Sequence, residues 1–183
     1  MPQIRRRTYR EQLFELAQEQ HGYVSTNDAR RLGIPTVELR KLAHRGKIEN
    51  IYRGIYQFPQ LSGSKNENYL LAILSVAENA YLTGYSVLAF HDLAQVNPRK
   101  IRVGTNQRVR REIPDQIHVT TDYLQDSDIE VWDGVRSTRV ARAIIDSKGI
   151  VMTDRLLGAL TKAIELGLVT GSEETQVRTA LAS

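Results

Sequence analysis

Three glycines, Gly22, Gly33 and Gly46, divide the first fifty residues into short segments, each with apolar residues at helical spacing. Tyr9, Leu13, Leu16 and Ala17 recur at i, i+4, i+7 and i+8, the pattern of one helical face, so a first helix is predicted to run until Gly22. Ser25 followed by Asp28 has the form of a capping box and opens a second helix of about two turns, carrying Ala29 and Leu32 and ending at Gly33. Pro35 has its φ preset for a helix start and no N–H to satisfy. Leu39, Leu42 and Ala43 then give a third helix its inner face before Gly46. A tight glycine-containing turn between the second and third helices is the helix-turn-helix arrangement.

The next segment, KIENIYRGIYQF, holds two runs rich in Ile and Tyr separated by Arg53-Gly54, which predicts a β-hairpin. A hairpin placed directly after a helix-turn-helix is a wing, so residues 8 to 59 read as a winged helix. PQLSGSKN, with Pro59, Gly63 and two serines, reads as a linker and sets expected domains of residues 1–60 and 61–183. Beyond it, Leu70, Ile73, Leu74 and Ala77 stripe a helix made apolar over most of its circumference by Leu71 and Val76. Ser86 is placed to cap a helix through Leu93. Strands are predicted at Lys100 to Gly104, Gln116 to Thr121 and Ile129 to Trp132, the last paired through Asp133-Gly134 with Val135 onward. Helices follow at Arg139 to Ser147, Thr153 to Leu166 and from Ser172. The fold class is therefore α+β, an N-terminal winged helix-turn-helix followed by a mixed α/β domain.

Charge is segregated along this plan. Residues 1 to 60 hold 11 Lys/Arg against 6 Asp/Glu, a net +5, whereas residues 61 to 183 hold 14 against 15, a net −1. Further on, Arg99 to Arg111 has six basic residues and no acid, and Glu112 to Asp133 has seven acids and no base. A polyanion is expected to meet the N-terminal region first, with Arg99 to Arg111 as a secondary contact.

With Leu39, Leu42 and Ala43 turned inward, the third helix leaves Thr36, Arg40, Lys41, His44 and Arg45 outward. The second helix of a helix-turn-helix enters the major groove, where Arg takes guanine bidentately and Lys or a hydroxyl reaches phosphates or base edges. Arg53 at the wing tip is placed for the adjacent backbone or minor groove. These six residues, Thr36, Arg40, Lys41, His44, Arg45 and Arg53, are the candidate DNA-binding set. Arg5 to Arg7 read as a frayed basic terminus, with a minor-groove arm as the alternative.

Signals for catalysis are incomplete. Gly84-Tyr85-Ser86-Val87-Leu88 starts like a nucleophile elbow but has Leu where the last Gly closes the turn. Asp126, Asp128 and Glu130 begin like a calcium loop, yet Val131 occupies the position of the required Gly. His21, His44, His91 and His118 show no metal-ligand spacing, and no phosphate-binding glycine motif is present. Pro114-Asp115 resembles the start of a restriction-type nuclease motif, but Glu130 is followed by Val131-Trp132 rather than x-Lys. The expectation is a protein without catalytic residues, metal or cofactor. The chain has no cysteine, which removes disulfides and thiolate chemistry, and no apolar stretch of membrane-spanning length. Pro2 runs into Arg5 to Arg7 without the apolar block of a signal peptide, so residence in the cytoplasm is expected.

At the level of whole segments the chain resembles the AbiEi antitoxins of type IV (abortive infection) toxin-antitoxin systems. ELAQEQHGYVSTNDARRLGIPTVELRKLAHRGKIENIYRGIYQF is similar to the family from first helix to Arg-Gly wing. YLTGYSVLAFHDLAQVNPRKIRV resembles its Ser-x-Leu helix, nearby His and Pro-led strand. RVARAIIDSKG resembles its Arg-Thr-φ-φ-Asp helix (φ apolar), with Arg142 and Asp146 kept and Ala143 in place of Thr. The resemblance implies an antitoxin whose winged helix binds inverted repeats in its own promoter and represses the operon. It further implies that the C-terminal domain helps counter a nucleotidyltransferase-like toxin. The chain does not resemble the toxin itself: Asp126 and Asp128 have D-x-D spacing, but no Gly-Ser lies just upstream. Two alternatives remain, a nuclease delivered to DNA by its winged helix and a transcriptional regulator with no toxin partner.

Overall fold

A computed structural model of the chain describes residues 7–94, 96 and 99–182. It divides into two compact units, Met1–Glu78 and Asn79–Ser183.

The first unit contains helices α1 (Tyr9–Glu19), α2 (Thr26–Arg31), α3 (Thr36–His44) and α4 (Glu67–Val76), with strands β1 (Tyr23–Ser25), β2 (Glu49–Tyr52) and β3 (Ile55–Gln57). Both α1 and α2 start with a reciprocal capping box. Thr8 Oγ1 accepts from Glu11 N–H while the Glu11 carboxylate accepts from Thr8 N–H, at 3.2 and 2.7 Å. At α2, Asp28 is 1% exposed and its Oδ2 accepts from both the N–H and the hydroxyl of Ser25, each at 2.7 Å. Arg31 pairs with the other carboxylate oxygen.

The turn from α2 into α3 is closed by two backbone hydrogen bonds, Gly33 N–H to Arg30 C=O at 3.0 Å and Ile34 N–H to Ala29 C=O at 2.8 Å. This is a Schellman ending, which demands the left-handed conformation that Gly33 adopts at φ +68°. It also drives Ile34 into the core, 2% exposed. The same pattern ends α3, through Gly46 and Lys47. At α1 the left-handed position is taken by His21, φ +48°, one residue before the expected Gly22.

Leu13, Ala17, Val24, Ala29, Leu39, Ile48 and Phe58 form one core cluster, all at or below 1% exposure. Phe14 packs edge-on against Phe58 with centroids 5.2 Å apart. Two residues assigned to inner faces lie further out: Tyr9 is 45% and Leu32 40% exposed. The hairpin forms as expected, and a third strand joins it in the order β1-β3-β2, both pairings antiparallel. Strand β1 occupies three of the six residues between the first two helices, too few for period-two alternation to register.

The division between units falls after α4, whereas the Pro/Gly/Ser composition placed it near residue 60. Glu67, in the first turn of α4, accepts from Gly63 N–H at 2.8 Å and from Gln57 Nε2 at 3.5 Å. His21 Nδ1 and the Ser64 hydroxyl are 2.6 Å apart. The linker thus folds back onto β3 and the end of α1.

The second unit has a five-stranded mixed sheet in the order β6-β5-β4-β8-β7. Its strands are β4 (Tyr81–Leu82), β5 (Ile101–Thr105), β6 (Ile117–Thr121), β7 (Ile129–Trp132) and β8 (Val135–Thr138). β4 pairs antiparallel with β5 and parallel with β8; β5 and β6 are parallel, and β7 and β8 form an antiparallel hairpin. Helices α5 (Tyr85–Phe90), α6 (Val140–Asp146), α7 (Thr153–Glu165) and α8 (Gly171–Ala182) complete it. The two-residue central strand β4 carries no pattern visible in the sequence, although Leu82 is fully buried. The protein is accordingly α+β, with a winged helix-turn-helix followed by a mixed α/β region. Among the described residues, no helix is long and apolar enough to cross a membrane.

Candidate nucleic-acid interface

Helix α3 is rotationally fixed by Leu39, fully buried, and Leu42, 8% exposed. With 3.6 residues per turn, this places Thr36, Val37, Arg40, Lys41, His44 and Arg45 on the opposite half of the circumference. Arg40, Lys41, His44 and Arg45 are exposed, and Thr36, in the first turn, is half-buried. No carboxylate among the described residues pairs with Arg40, His44, Arg45 or Arg53. Lys41 differs: its Nζ lies 2.7 Å from Glu38 Oε1, three residues earlier on the same helix.

The start of α3 also differs from those of α1 and α2. Pro35 occupies its N-cap and supplies no side-chain hydrogen bond, so the first-turn N–H groups lack the side-chain acceptor that Thr8 and Ser25 provide elsewhere. The uncapped N-terminal end carries the positive pole of the helix dipole one turn from Arg40, while His44 and Arg45 lie at the opposite end.

The wing is tied to the helix-turn-helix by its turn. Thr26 N–H, at the start of α2, donates to Gly54 C=O at 2.9 Å. Gly54 has φ +76°, and a Cβ there would lie 3.1 Å from Thr26 Oγ1, so the sharp reversal and the close approach both require glycine. Arg53, exposed beside it, is held at the tip. The β2–β3 register shifts between Asn50 and Tyr52, a bulge that leaves Ile51 38% exposed.

Residues 11–59 match the family of transcriptional regulators described as AbiEi antitoxin. The match is confined to this segment, 49 of the 183 residues. The match runs from the first turn of α1 to just past β3 and so spans the helix-turn-helix and the wing. Comparison of the chain with curated proteins gave no significant match. The five α3 residues expected to meet DNA lie on the half of the helix turned away from Leu39 and Leu42, and Arg53 lies on the wing. Of the basic terminus, Arg7 pairs with Glu15, while Arg5 and Arg6 lie outside the described residues. Val37, an apolar side chain in the first turn of α3, is 47% exposed on the same outward face. Its helical position relative to Leu39 and Leu42 is the sequence signal for that exposure.

Outside the AbiEi match, the motifs weighed for catalysis take structural positions. Ser86 is not the N-cap of α5: Gly84 fills that place at φ +54°, and Ser86 is buried inside the helix, its Oγ accepting from Arg102 N–H at 2.7 Å. Helix α5 also stops at Phe90, short of Leu93. Asp128 Oδ2 accepts from Gln125 N–H at 3.1 Å within a local turn. Glu130 is partly buried, and burial raises its pKa against the pull of Arg139. Among the described residues, no three His, Asp or Glu side chains gather as a metal site. In the basic segment Arg99 to Arg111, Arg102 turns inward and donates to Asp146 C=O at 3.1 Å, while the other five cations are exposed. The Pro98 that resembled the family's strand lead lies outside the described residues.

Proposed function

We propose that the chain is a DNA-binding antitoxin that represses its own operon, residues 1–60 engaging inverted repeats in double-stranded promoter DNA through α3 and the wing. The observation that carries this reading is the set of exposed cations Arg40, His44, Arg45 and Arg53, without carboxylate partners, on an AbiEi-type module. Arg40, one turn inside α3, reaches a base edge; Arg45 and Arg53, at the helix end and wing tip, hold phosphates; Thr36 and His44 contact groups along the same groove. Lys41 joins the phosphate contacts by exchanging its Glu38 partner for DNA.

The toxin-directed role belongs in this proposal to residues 61–183. It rests on the resemblance of the 81–103 and 139–149 segments, since the family match ends at residue 59. The toxin is of nucleotidyltransferase type, the system is type IV, and the protein performs no catalysis of its own.

The test has two arms. Footprinting with the full chain on the DNA upstream of its own gene is expected to protect paired half-sites. Co-expression with a neighbouring nucleotidyltransferase-like gene is expected to restore growth that this gene alone arrests. Protection without rescue would leave a transcriptional regulator lacking a toxin partner. Magnesium-dependent cleavage of the footprinted duplex would replace the proposal with the nuclease alternative.

A further inference from the structure

Val37 lies on the outward face of α3, 47% exposed, in the first turn of the helix. With 3.6 residues per turn it lies within about 60° of Arg40 and about 40° of Lys41, and almost in line with His44 two turns on. An apolar, branched side chain therefore shares this outward face with Arg40, Lys41 and His44. The core has no use for it: Leu39 and Leu42 face the cluster, while Val37 points away.

We infer that Val37 is a specificity-determining residue that reads the C5-methyl group of thymine in the major groove. This inference rests on the assignment of α3 as the helix that enters DNA. Three observations select a thymine methyl rather than another occupant. First, the major-groove edge of a base pair offers one apolar group, the thymine methyl, and residues early in a recognition helix meet base edges. Second, a β-branched side chain in a helix is confined largely to one χ1 rotamer, so its methyl groups are presented rigidly and little freedom is lost on contact. Third, the surrounding Arg40, Lys41 and Arg45 favour a polyanion over an apolar protein partner, which would have to bury those charges.

The division of labour on the face follows from this chemistry. Arg40 supplies the hydrogen bonds that favour guanine, and Val37 excludes water over a neighbouring A·T pair. Burial of one methyl-sized group corresponds to about fourfold in affinity.

The experiment uses duplexes selected from a random library by the full-length protein, with each thymine then replaced singly by deoxyuridine, which removes only the methyl. One replacement in each half-site is expected to weaken binding by the unmodified protein about fourfold. The same replacement should leave binding by Val37→Ala unchanged, and Val37→Thr, which keeps one methyl, should fall between. Thermal unfolding of both variants checks that the exposed substitutions leave the fold intact. If every deoxyuridine duplex affects Val37→Ala and the unmodified protein equally, the assignment of Val37 is wrong while the DNA-binding reading survives. If no duplex is enriched at all, the DNA-binding reading fails and carries this inference with it.

Discussion

Lys41 Nζ lies 2.7 Å from Glu38 Oε1 on helix α3, so the only acid of that helix holds one of its cations. The pair is surface-exposed and contributes little to stability, on the order of 0.3–0.5 kcal/mol for an in-helix pair. Its consequence concerns binding, because Lys41 must leave Glu38 to meet a phosphate. Glu38→Gln is therefore expected to tighten binding to any duplex and to steepen the log-log salt dependence by about 0.9 for the released contact. Anisotropy titrations at several salt concentrations measure both. A Glu38→Gln protein with unchanged affinity and slope would mean that Lys41 takes no part.

The remaining cations separate by position. Arg40→Ala should cost about 1–3 kcal/mol on the specific duplex and relax preference at one or two base pairs. Arg45→Ala and Arg53→Ala should weaken specific and scrambled DNA alike, each lowering the salt slope by about one unit. Titrations on both duplexes at two salt concentrations distinguish these outcomes. Undiminished sequence preference in Arg40→Ala would reassign the base contact.

The Asp28 carboxylate is almost wholly buried and serves Ser25 twice. Removing it orphans the Ser25 N–H and hydroxyl at the start of α2, the helix against which the wing turn is anchored. Asp28→Ala is expected to lower stability by about 1–3 kcal/mol and Ser25→Ala by about 1 kcal/mol. Chemical denaturation followed by far-UV circular dichroism gives the values, and a loss below about 0.5 kcal/mol for Asp28→Ala would contradict the account.

His91 provides a pH dependence in the second unit. Burial holds its pKa below the ordinary 6.5, against the opposing pull of Asp92. Its ring packs edge-on against Phe90 and Trp132, with centroids 4.8 and 5.6 Å away. A depressed histidine pKa means that the unfolded chain takes the proton first. Its contribution is complete well above pH 6.5 and is lost progressively as the pH falls through 6.5 toward the folded value. Trp132 is the single tryptophan, so its fluorescence reports urea unfolding of this unit. The midpoint should fall between pH 7.5 and 5.5 and change less in His91→Gln; identical pH dependence in both proteins would exclude His91 as the source.

Glu173 acts in a lower pH window. Burial pushes its pKa up, but hydrogen bonds from Thr170 N–H and hydroxyl and from Arg139 outweigh this and hold it below the ordinary 4.5. Its contribution is complete above the usual carboxylate range and is lost as the pH falls through the depressed value. Arg139→Ala should reduce the acid sensitivity of unfolding below pH 4.5, measured by the same fluorescence. Sensitivity equal to that of the unmodified protein would remove the pair from the account.

The sequence by itself determined the elements whose cause is local. Three helices, their glycine-marked ends and the Arg53-Gly54 hairpin are legible because capping side chains, left-handed turn residues and apolar periodicity act within a few residues of one another. The outward cations of α3 followed from the same periodicity. Tertiary structure decided what depends on distant partners. Strands β1 and β4 are three and two residues long and exist because β3, β5 and β8 supply their hydrogen-bond partners. Ser86 looked like a cap by its neighbours, but the backbone N–H of Arg102, sixteen residues away, claimed its hydroxyl. Arg102 counted as one of six basic charges until Asp146 C=O drew it inward. Lys41 is bound to Glu38, and Val37 is turned outward, at spacings visible in the sequence; burial of Leu39 and Leu42 in the core is what realises that rotation of α3. Local rules fix how a segment can fold; burial and long-range pairing fix which of its side chains remain available to a partner.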